Sequence, residues 1–343
     1  MPQSTSASPD ATDPKSVPQR TLSTGQTMPA IGLGTFSNDR YDARRMAEAV
    51  AEALRLGYRL IDCASVYGNE PEIGEVLDAA VRGGLKRDEL FVTSKLWNDS
   101  HAPEKVRPAI EKSLRDLRLD YLDMYYIHWP FPNTHAPGAA HDSRSPDARP
   151  YSHDRYLAVY RELEKAVADG LIRGIGTSNM TVAKLRLLLP AVGIRPAANQ
   201  MEMHPAFAQP EFFAYLRGEG ICPVAYCPLG SPGRPDRDTT PDDVAVMRHP
   251  VVTEIARNLG IHPALVCLKW AVQRGQVPIP SSVMREQLAT NLRCVTVDPL
   301  TDAEMRRMDG VDSGCRLIKG QVFLWETAGS WMDLWDEDGV IAT

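Results

Sequence analysis

The amino-acid sequence predicts a single (β/α)8 barrel, a TIM barrel. About eight short apolar segments that favour strands alternate along the chain with segments whose apolar residues recur at helical spacing. Alternation of this kind predicts a parallel sheet, and eight such units close the sheet into a barrel. An open, doubly wound sheet is the alternative. The sequence disfavours it, because no GxGxxG pattern follows a strand near the start of the chain.

Turn residues and helical spacing justify the individual elements. Residues 24–26 are turn residues between two short extended segments, which predicts a β-hairpin that caps one end of the barrel. The first predicted helix ends at Gly57, a favourable C-terminal stop, and residues 104–118 carry a regular apolar stripe. The predicted barrel strands are 32–36, 58–62, 90–95, 124–128, 171–176, 197–200, 221–226 and 277–282, and the predicted helices are 42–56, 72–81, 104–118, 155–168, one that ends at 189, 211–217, 251–259 and 263–274.

The two ends of the chain and one long loop lie outside this alternation. Residues 1–20 are polar and proline-rich and lack the apolar core of a signal peptide, so we expect a disordered lead-in. Residues 21–343 are expected to form one domain, because barrels of this class run to about 250 residues or more. We expect a polar loop, 129–153, and a C-terminal extension, 314–343, to complete a substrate pocket.

Composition argues against several classes of function. The chain has a formal net charge of −6 and no run of Lys or Arg, which argues against a nucleic-acid groove. No apolar stretch reaches the roughly 18 residues that a membrane span needs. The six cysteines lie far apart and lack the spacing of metal ligands, which indicates reduced thiols in a cytoplasmic enzyme and no metal site.

Four polar residues are predicted to meet at one face of the barrel. Asp62, Lys95 and His128 each end a predicted strand, and Tyr67 follows five residues after Asp62. Taken singly, each has a structural explanation: a helix cap, a solvated strand end, or a core histidine bonded to a carbonyl. Because the carboxyl ends of all barrel strands open onto the same face, we expect the four side chains to form one catalytic cluster.

The chemistry of this cluster is that of a proton donor. Tyrosine has a pKa of about 10, and a cation about 4 Å from the phenolic oxygen would lower it by about 3 units. We therefore expect Tyr67, beside Lys95, to give up a proton near neutral pH. Asp62 would hold Lys95 charged and oriented, and His128 would hydrogen-bond the substrate oxygen.

Six motifs in order resemble those of the aldo-keto reductase superfamily. They are DCASVYGNE, TSKLWN, YYIHWP, GTSN, NQMEMHP and AYCPLGSP, within a resemblance that spans about residues 32–291. The resemblance implies that Asp62, Tyr67, Lys95 and His128 are a catalytic tetrad. It implies NAD(P)H-dependent reduction of an aldehyde or ketone, with sugars among the candidate substrates, hydride from the nicotinamide and a proton from Tyr67.

The same resemblance implies a set of cofactor-binding residues. Ser178, Asn179 and Gln200 would hold the carboxamide, since they supply the donors and acceptors that an amide needs, and Tyr226 would stack on the nicotinamide ring. Buried amides satisfied by backbone and a plain core aromatic are the alternatives. The Gly32-x-Gly34 pattern is equally compatible with a tight turn. The full implied set is Gly34, Thr35, Asp62, Ser178, Asn179, Gln200, Tyr226, Leu229, Ser231, Ser281, Ser282 and Asn291.

The sequence departs from the family pattern where the 2′-phosphate of NADPH would lie. Ser281 and Gln287 stand where NADPH-preferring members usually carry a lysine and an arginine. A phosphate dianion would lose two cationic partners, for which Arg285 or Arg293 is a possible substitute. We therefore expect NADH, or dual use of both nucleotides.

The substrate side also departs from the pattern. Phe36 replaces a common tryptophan, while Trp97, His128 and Trp129 remain as expected substrate contacts. Trp325, Trp331 and Trp335 of the C-terminal extension either join this pocket or pack as a cover. The expected partner is a small carbonyl compound, and a monomer and a dimer are both compatible with the sequence.

Two other functions fit the same barrel. Lys95 could form a Schiff base in a lyase, although a paired Asp62 disfavours this because it keeps the lysine charged. A non-catalytic nucleotide-binding regulatory subunit is the other alternative, against which the complete tetrad argues.

Overall fold

Eight parallel strands lie side by side in chain order in the computed structural model, which describes residues 10–37, 40–135, 145–236 and 239–342. Each strand pairs in parallel with the next one along the chain. The barrel strands are β3 (Leu33–Gly34), β4 (Leu60–Asp62), β5 (Phe91–Leu96), β6 (Met124–Ile127), β7 (Ile175–Ser178), β8 (Ala198–Glu202), β9 (Cys222–Tyr226) and β10 (Val277–Pro278).

Backbone hydrogen bonds join the first strand to the last. The N–H groups of Gly32 and Gly34 donate to the carbonyls of Pro278 and Pro280, both at 3.1 Å. The contact is close, because a Cβ atom on Gly34 would lie 2.7 Å from the carbonyl oxygen of Ile279. The predicted (β/α)8 barrel is confirmed.

Helices follow the strands and cover the outside of the barrel. In the first helix, Ala43–Leu56, the Asp42 side chain accepts the Arg45 N–H, and Gly57 ends the helix at φ 110°. In the last helix, Asp302–Asp309, Thr301 and Glu304 form a reciprocal capping box. This helix is not among those predicted from the sequence, although the capping box is a signal that indicates its start. The helices are α1 (Ala43–Leu56), α2 (Glu70–Arg82), α3 (Pro103–Leu117), α4 (His153–Ala168), α5 (Val182–Leu188), α6 (Pro210–Gly218), α7 (Pro250–Leu259), α8 (Pro263–Arg274), α9 (Arg285–Cys294) and α10 (Asp302–Asp309).

The predicted hairpin closes the end of the barrel opposite the site. β1 (Gln19–Thr21) pairs antiparallel with β2 (Thr27–Pro29), and Gly25 takes φ 81° in the turn. Met28 and Leu22 are buried in an apolar cluster with side chains from the beginnings of several barrel strands. The hairpin therefore acts as the bottom of the barrel, as predicted.

The expected disordered lead-in is wrong for residues 10–20. Pro14–Ser16 forms a short 3-10 helix that the Asp13 side chain caps, and the Thr12 N–H donates to the Leu56 carbonyl at 2.9 Å. Val17 is 4% exposed and belongs to the main core. Burial of Val17 and the placement of Pro14 at the start of the 3-10 helix order this segment, although its composition is polar. Residues 1–9 lie outside the described part of the chain.

The C-terminal extension is fixed to the barrel by buried polar contacts. Lys184 of α5 forms an ion pair with Asp336, and both side chains are almost completely buried. The indole N–H of Trp335 donates to the Lys319 carbonyl at 2.8 Å, and the Arg316 guanidinium lies 3.5 Å from the centroid of that indole. The extension therefore has a defined path across the open face of the barrel.

No single helix in the described residues is both long and apolar enough to cross a membrane. Only α7 and α8 taken together, with a bend of 98° between them, reach that length and composition.

Candidate active site

A buried ion pair joins the ends of β4 and β5. The Lys95 ammonium lies 2.6 Å from Asp62 Oδ2 and also donates to the Cys63 carbonyl at 2.8 Å. Asp62 Oδ1 accepts hydrogen bonds from Thr93 Oγ1 at 2.8 Å and from Gln200 Nε2 at 2.9 Å. Both charges are therefore paired and hydrogen-bonded, which is the condition under which burial of an ion pair is tolerated.

Tyr67 and His128 complete the predicted cluster. Tyr67 ends the 3-10 turn Ser65–Tyr67, which leaves β4, and Lys95 Nζ lies 5.1 Å from the centroid of its ring. The rings of Tyr67 and His128 are 5.8 Å apart and nearly perpendicular. Sequence positions 62, 67, 95 and 128 thus meet in space, as the barrel topology predicts.

The pKa of Tyr67 shifts in the direction opposite to the expected one, because burial outweighs the charge of Lys95. Burial raises the pKa of Tyr67, the charge of Lys95 lowers it, and Asp62 raises it again, with a net increase to about 12. Tyr67 is partly exposed to the cavity, but protein encloses it closely enough for desolvation to dominate. A pairwise estimate of the Lys95 effect omits that desolvation and the opposing carboxylate.

The charge states of Lys95 and His128 follow from the same contacts. Burial by itself lowers the pKa of Lys95, but Asp62 and Tyr67 outweigh it, so the pKa is raised and the lysine stays charged. Burial, together with Lys95 and His101, holds the pKa of His128 well below its ordinary value. The imidazole is therefore neutral at pH 7, and one of its ring nitrogens carries a proton that it can donate.

A cavity of about 1120 Å³ opens above the cluster at the carboxyl ends of the strands. Lys95 is the one predicted site residue that does not line it, since it lies fully buried behind Asp62. The predicted residues that line it are Gly34, Thr35, Phe36, Asp62, Tyr67, Trp97, His128, Trp129, Ser178, Asn179, Gln200, Tyr226, Leu229, Ser231, Ser281, Ser282 and Asn291.

The predicted carboxamide site is a connected polar network. Tyr226 donates to Asn179 Oδ1 at 2.8 Å, and Asn179 Nδ2 donates to the His128 carbonyl at 3.0 Å. Ser178 Oγ donates to the Gln200 carbonyl at 2.9 Å. Amide groups, a hydroxyl and an aromatic ring line the same cavity as Tyr67, and this set of groups fits a nicotinamide with its carboxamide.

The part of the cavity wall formed by residues 281–291 carries serines and a glutamine. Ser281 Oγ donates to the Phe36 carbonyl at 3.1 Å, and Ser282 Oγ donates to Gln287 Oε1 at 2.7 Å. Arg285 forms ion pairs with Asp10 and Glu52, and neither Arg285 nor Arg293 is among the described residues that line the cavity.

Sequence reasoning missed several residues that line the cavity. Arg40 lines the cavity and follows the first barrel strand closely. A charged residue just after the end of a barrel strand is a signal that could have identified it. In the C-terminal extension, Val322 and Phe323 face the cavity, whereas Trp325, Trp331 and Trp335 do not line it. Residues of the extension line part of the pocket as expected, but its three tryptophans do not.

Comparisons with known proteins agree with this geometry. The model of the aldo/keto reductase family matches residues 30–313. An aldo/keto reductase from Synechocystis is 41% identical over 320 residues, which cover 92% of this chain and 95% of that protein. Human aldo-keto reductase family 1 member A1 is 40% identical over 300 residues, which cover 87% and 90%. The crystal structure of a Bombyx mori aldo-keto reductase in complex with NADP superposes with a TM-score of 0.78 at 32% identity, covering 90% of this chain and 96% of that one.

The chain belongs to the aldo/keto reductase family. The predictions of an NAD(P)-dependent oxidoreductase and of a nicotinamide cofactor are confirmed.

Proposed function

We propose that this protein reduces an aldehyde or ketone to an alcohol, with Tyr67 as the proton donor. The proposal rests on one observation: a charged Lys95 is buried between Asp62 and the ring of Tyr67. The neighbouring His128 is neutral. Tyr226, Ser178 and Asn179 would hold a reduced nicotinamide, which would supply hydride to the carbonyl carbon. His128 donates a hydrogen bond to the carbonyl oxygen and fixes its position, and Tyr67 transfers its proton to that oxygen.

The raised pKa of Tyr67 is compatible with this role. At neutral pH the hydroxyl remains protonated, which is the form that an acid catalyst needs. As hydride arrives, the carbonyl oxygen becomes an alkoxide, whose conjugate acid, an alcohol, has a pKa well above that of a phenol. Proton transfer from a phenol of pKa about 12 to this alkoxide is therefore downhill. The tyrosinate that results faces Lys95 and regains its proton from solvent.

We also propose that the enzyme prefers NADH or uses both nucleotides. Ser281 and Gln287 offer no positive charge to a 2′-phosphate, and Arg285 is engaged by Asp10 and Glu52. Steady-state kinetics with both nucleotides tests this proposal. A kcat/KM for NADPH more than about tenfold above that for NADH would contradict it.

Tyr67→Phe tests the proposed chemistry. We expect it to reduce kcat by about 10²- to 10⁴-fold on a panel of aldoses, keto sugars and simple aldehydes. Nucleotide affinity, measured by fluorescence titration, should be retained because the ring stays in place. If the parent protein turns over no member of the panel with either nucleotide, the regulatory alternative is favoured instead.

A further inference from the structure

Phe323 is the centre of an aromatic wall that faces the cavity. Its ring centroid lies 4.8 Å from that of Trp129, 5.7 Å from Phe131 and 6.1 Å from Trp97. Trp97 in turn lies 5.2 Å from His128. The position of Phe323 therefore affects the space beside the group that is proposed to orient the substrate carbonyl.

The backbone around Phe323 has little regular structure of its own. Gln321–Phe323 is a single 3-10 turn, and one bridge between Ser145 and Trp325 links the segment to the long loop. Neither element is long enough to fix the segment by repetitive backbone hydrogen bonds. Its placement therefore depends strongly on side-chain contacts.

Asn133 supplies such contacts from the long loop. Its Nδ2 group donates to the Phe323 carbonyl at 2.9 Å and to the Arg149 carbonyl at 2.8 Å, and its Oδ1 accepts the Arg149 N–H at 2.7 Å. Its own carbonyl accepts from Asn98 Nδ2 at 2.5 Å, in the loop after β5. Asn133 is 2% exposed. Its amide uses both donor protons and its oxygen to join segments that are distant in sequence.

We propose that Asn133 is a positioning residue that determines substrate specificity by holding Phe323 in the cavity wall. This inference rests on the proposed carbonyl reduction. Asn133 is not among the described residues that line the cavity, so it acts through Phe323 and not on the substrate. Loss of the amide leaves the Phe323 carbonyl without this donor and loosens the wall, so larger groups beside the carbonyl are accommodated.

The test compares two aromatic aldehydes that differ in size, benzaldehyde and 2-naphthaldehyde. In Asn133→Ala, we expect the kcat/KM ratio of the larger to the smaller aldehyde to rise about fivefold or more, mainly through KM. Asn133→Asp should show the same shift, because a carboxylate cannot donate to the Phe323 carbonyl. In a Phe323→Ala background, the Asn133 substitutions should change the ratio no further.

Asn199→Ala is the matched control. Asn199 is also a buried amide with backbone and side-chain partners, but in the described part of the chain its side-chain hydrogen bonds join Thr177 and Met180 and not the C-terminal extension. The control should lose stability without a change in the specificity ratio. An unchanged ratio in folded Asn133→Ala and Asn133→Asp, or an equal change in the control, would overturn the inference.

Hydrogen exchange separates this inference from the proposed function. We expect the amides of residues 321–325 to exchange faster in Asn133→Ala than in the parent, and unchanged exchange there would contradict the positioning role. If Asn133→Ala does not fold, Asn133→Ser replaces it in both measurements. Absence of turnover in the parent would refute the proposed function, and the exchange result would still decide whether Asn133 fixes Phe323.

Discussion

The Lys95 ammonium and the Asp62 carboxylate lie 2.6 Å apart, and their side chains are 0% and 4% exposed. Each charge would be unstable in this environment without the other. The pair therefore has two effects: it allows a cation to stay beside Tyr67, and it makes the site a sensitive point for the stability of the barrel.

Lys95→Met should impair both catalysis and folding. The substitution leaves Asp62 buried without its cation, and we expect a loss of about 3–5 kcal/mol in the free energy of unfolding. The double variant Asp62→Asn/Lys95→Met should lose less stability than the single variant, because it contains no unpaired buried charge. Urea denaturation of the parent, Lys95→Met, Asp62→Asn and the double variant checks this, and additive losses would contradict it.

Tyr67 should remain protonated in the apoenzyme through the neutral range. Burial raises its pKa to about 12, so the phenol ionises only as the pH rises well above the ordinary value of about 10. The difference in tyrosinate absorbance between the parent and Tyr67→Phe isolates this group. A Tyr67-dependent signal with a midpoint near neutral pH would show that Lys95 outweighs desolvation after all.

Glu202 should make stability depend on pH in the acidic range. Burial by itself would raise the pKa of Glu202, but hydrogen bonds from His204 and Ile318 and the charge of Arg316 outweigh it, so the pKa is lowered. A carboxyl group with a lowered pKa stabilises the fold above its unfolded pKa, and this contribution is lost as the pH falls through the folded pKa.

Glu202→Gln tests this dependence. We expect it to lose about 2 kcal/mol or more near pH 7, and the difference from the parent to shrink only as the pH falls below the ordinary Glu pKa of 4.5. Glu254→Gln is the control, because Glu254 is 51% exposed and pairs with Arg307 at the surface. Denaturant midpoints across this range provide the measurement, and a gap between parent and Glu202→Gln that does not change with pH would contradict the assignment.

Gln287→Arg should move cofactor use towards NADPH. A guanidinium in this part of the cavity wall offers the bidentate partner that a 2′-phosphate lacks, so the NADPH to NADH ratio of kcat/KM should rise about tenfold or more. Arg285→Ala should leave the ratio nearly unchanged, because Arg285 pairs with Asp10 and Glu52 outside the cavity. If the NADPH to NADH ratio changed equally in both variants, the result would indicate a general charge effect and would contradict this prediction.

The barrel and the meeting of the four polar side chains were predictable, because both depend on the order of elements along the chain. Alternating strands and helices define the topology, and the topology brings the ends of neighbouring strands to one face. Asp62, Lys95 and His128 could therefore be grouped without knowledge of any distance.

Other features depend on the path of non-repetitive chain and were not predictable in the same way. The acidity of Tyr67 was misjudged because desolvation depends on the whole cavity wall, whereas the Lys95 charge is a local pair. The extension shows no periodicity from which one could predict that Phe323 lines the cavity and Trp335 does not. Val17 shows that one buried apolar residue can order a segment whose composition suggests disorder.

Because the first and last barrel strands meet, the cavity cannot be complete until the end of the barrel has been synthesised. Ser281 contacts Phe36 across 245 residues of sequence, and both line the same cavity. While the chain is being made, the early half of the cavity wall emerges from the ribosome long before the late half exists. A chain that stops before β10 lacks one side of the cavity, so binding of a dinucleotide would distinguish complete molecules from prematurely terminated ones.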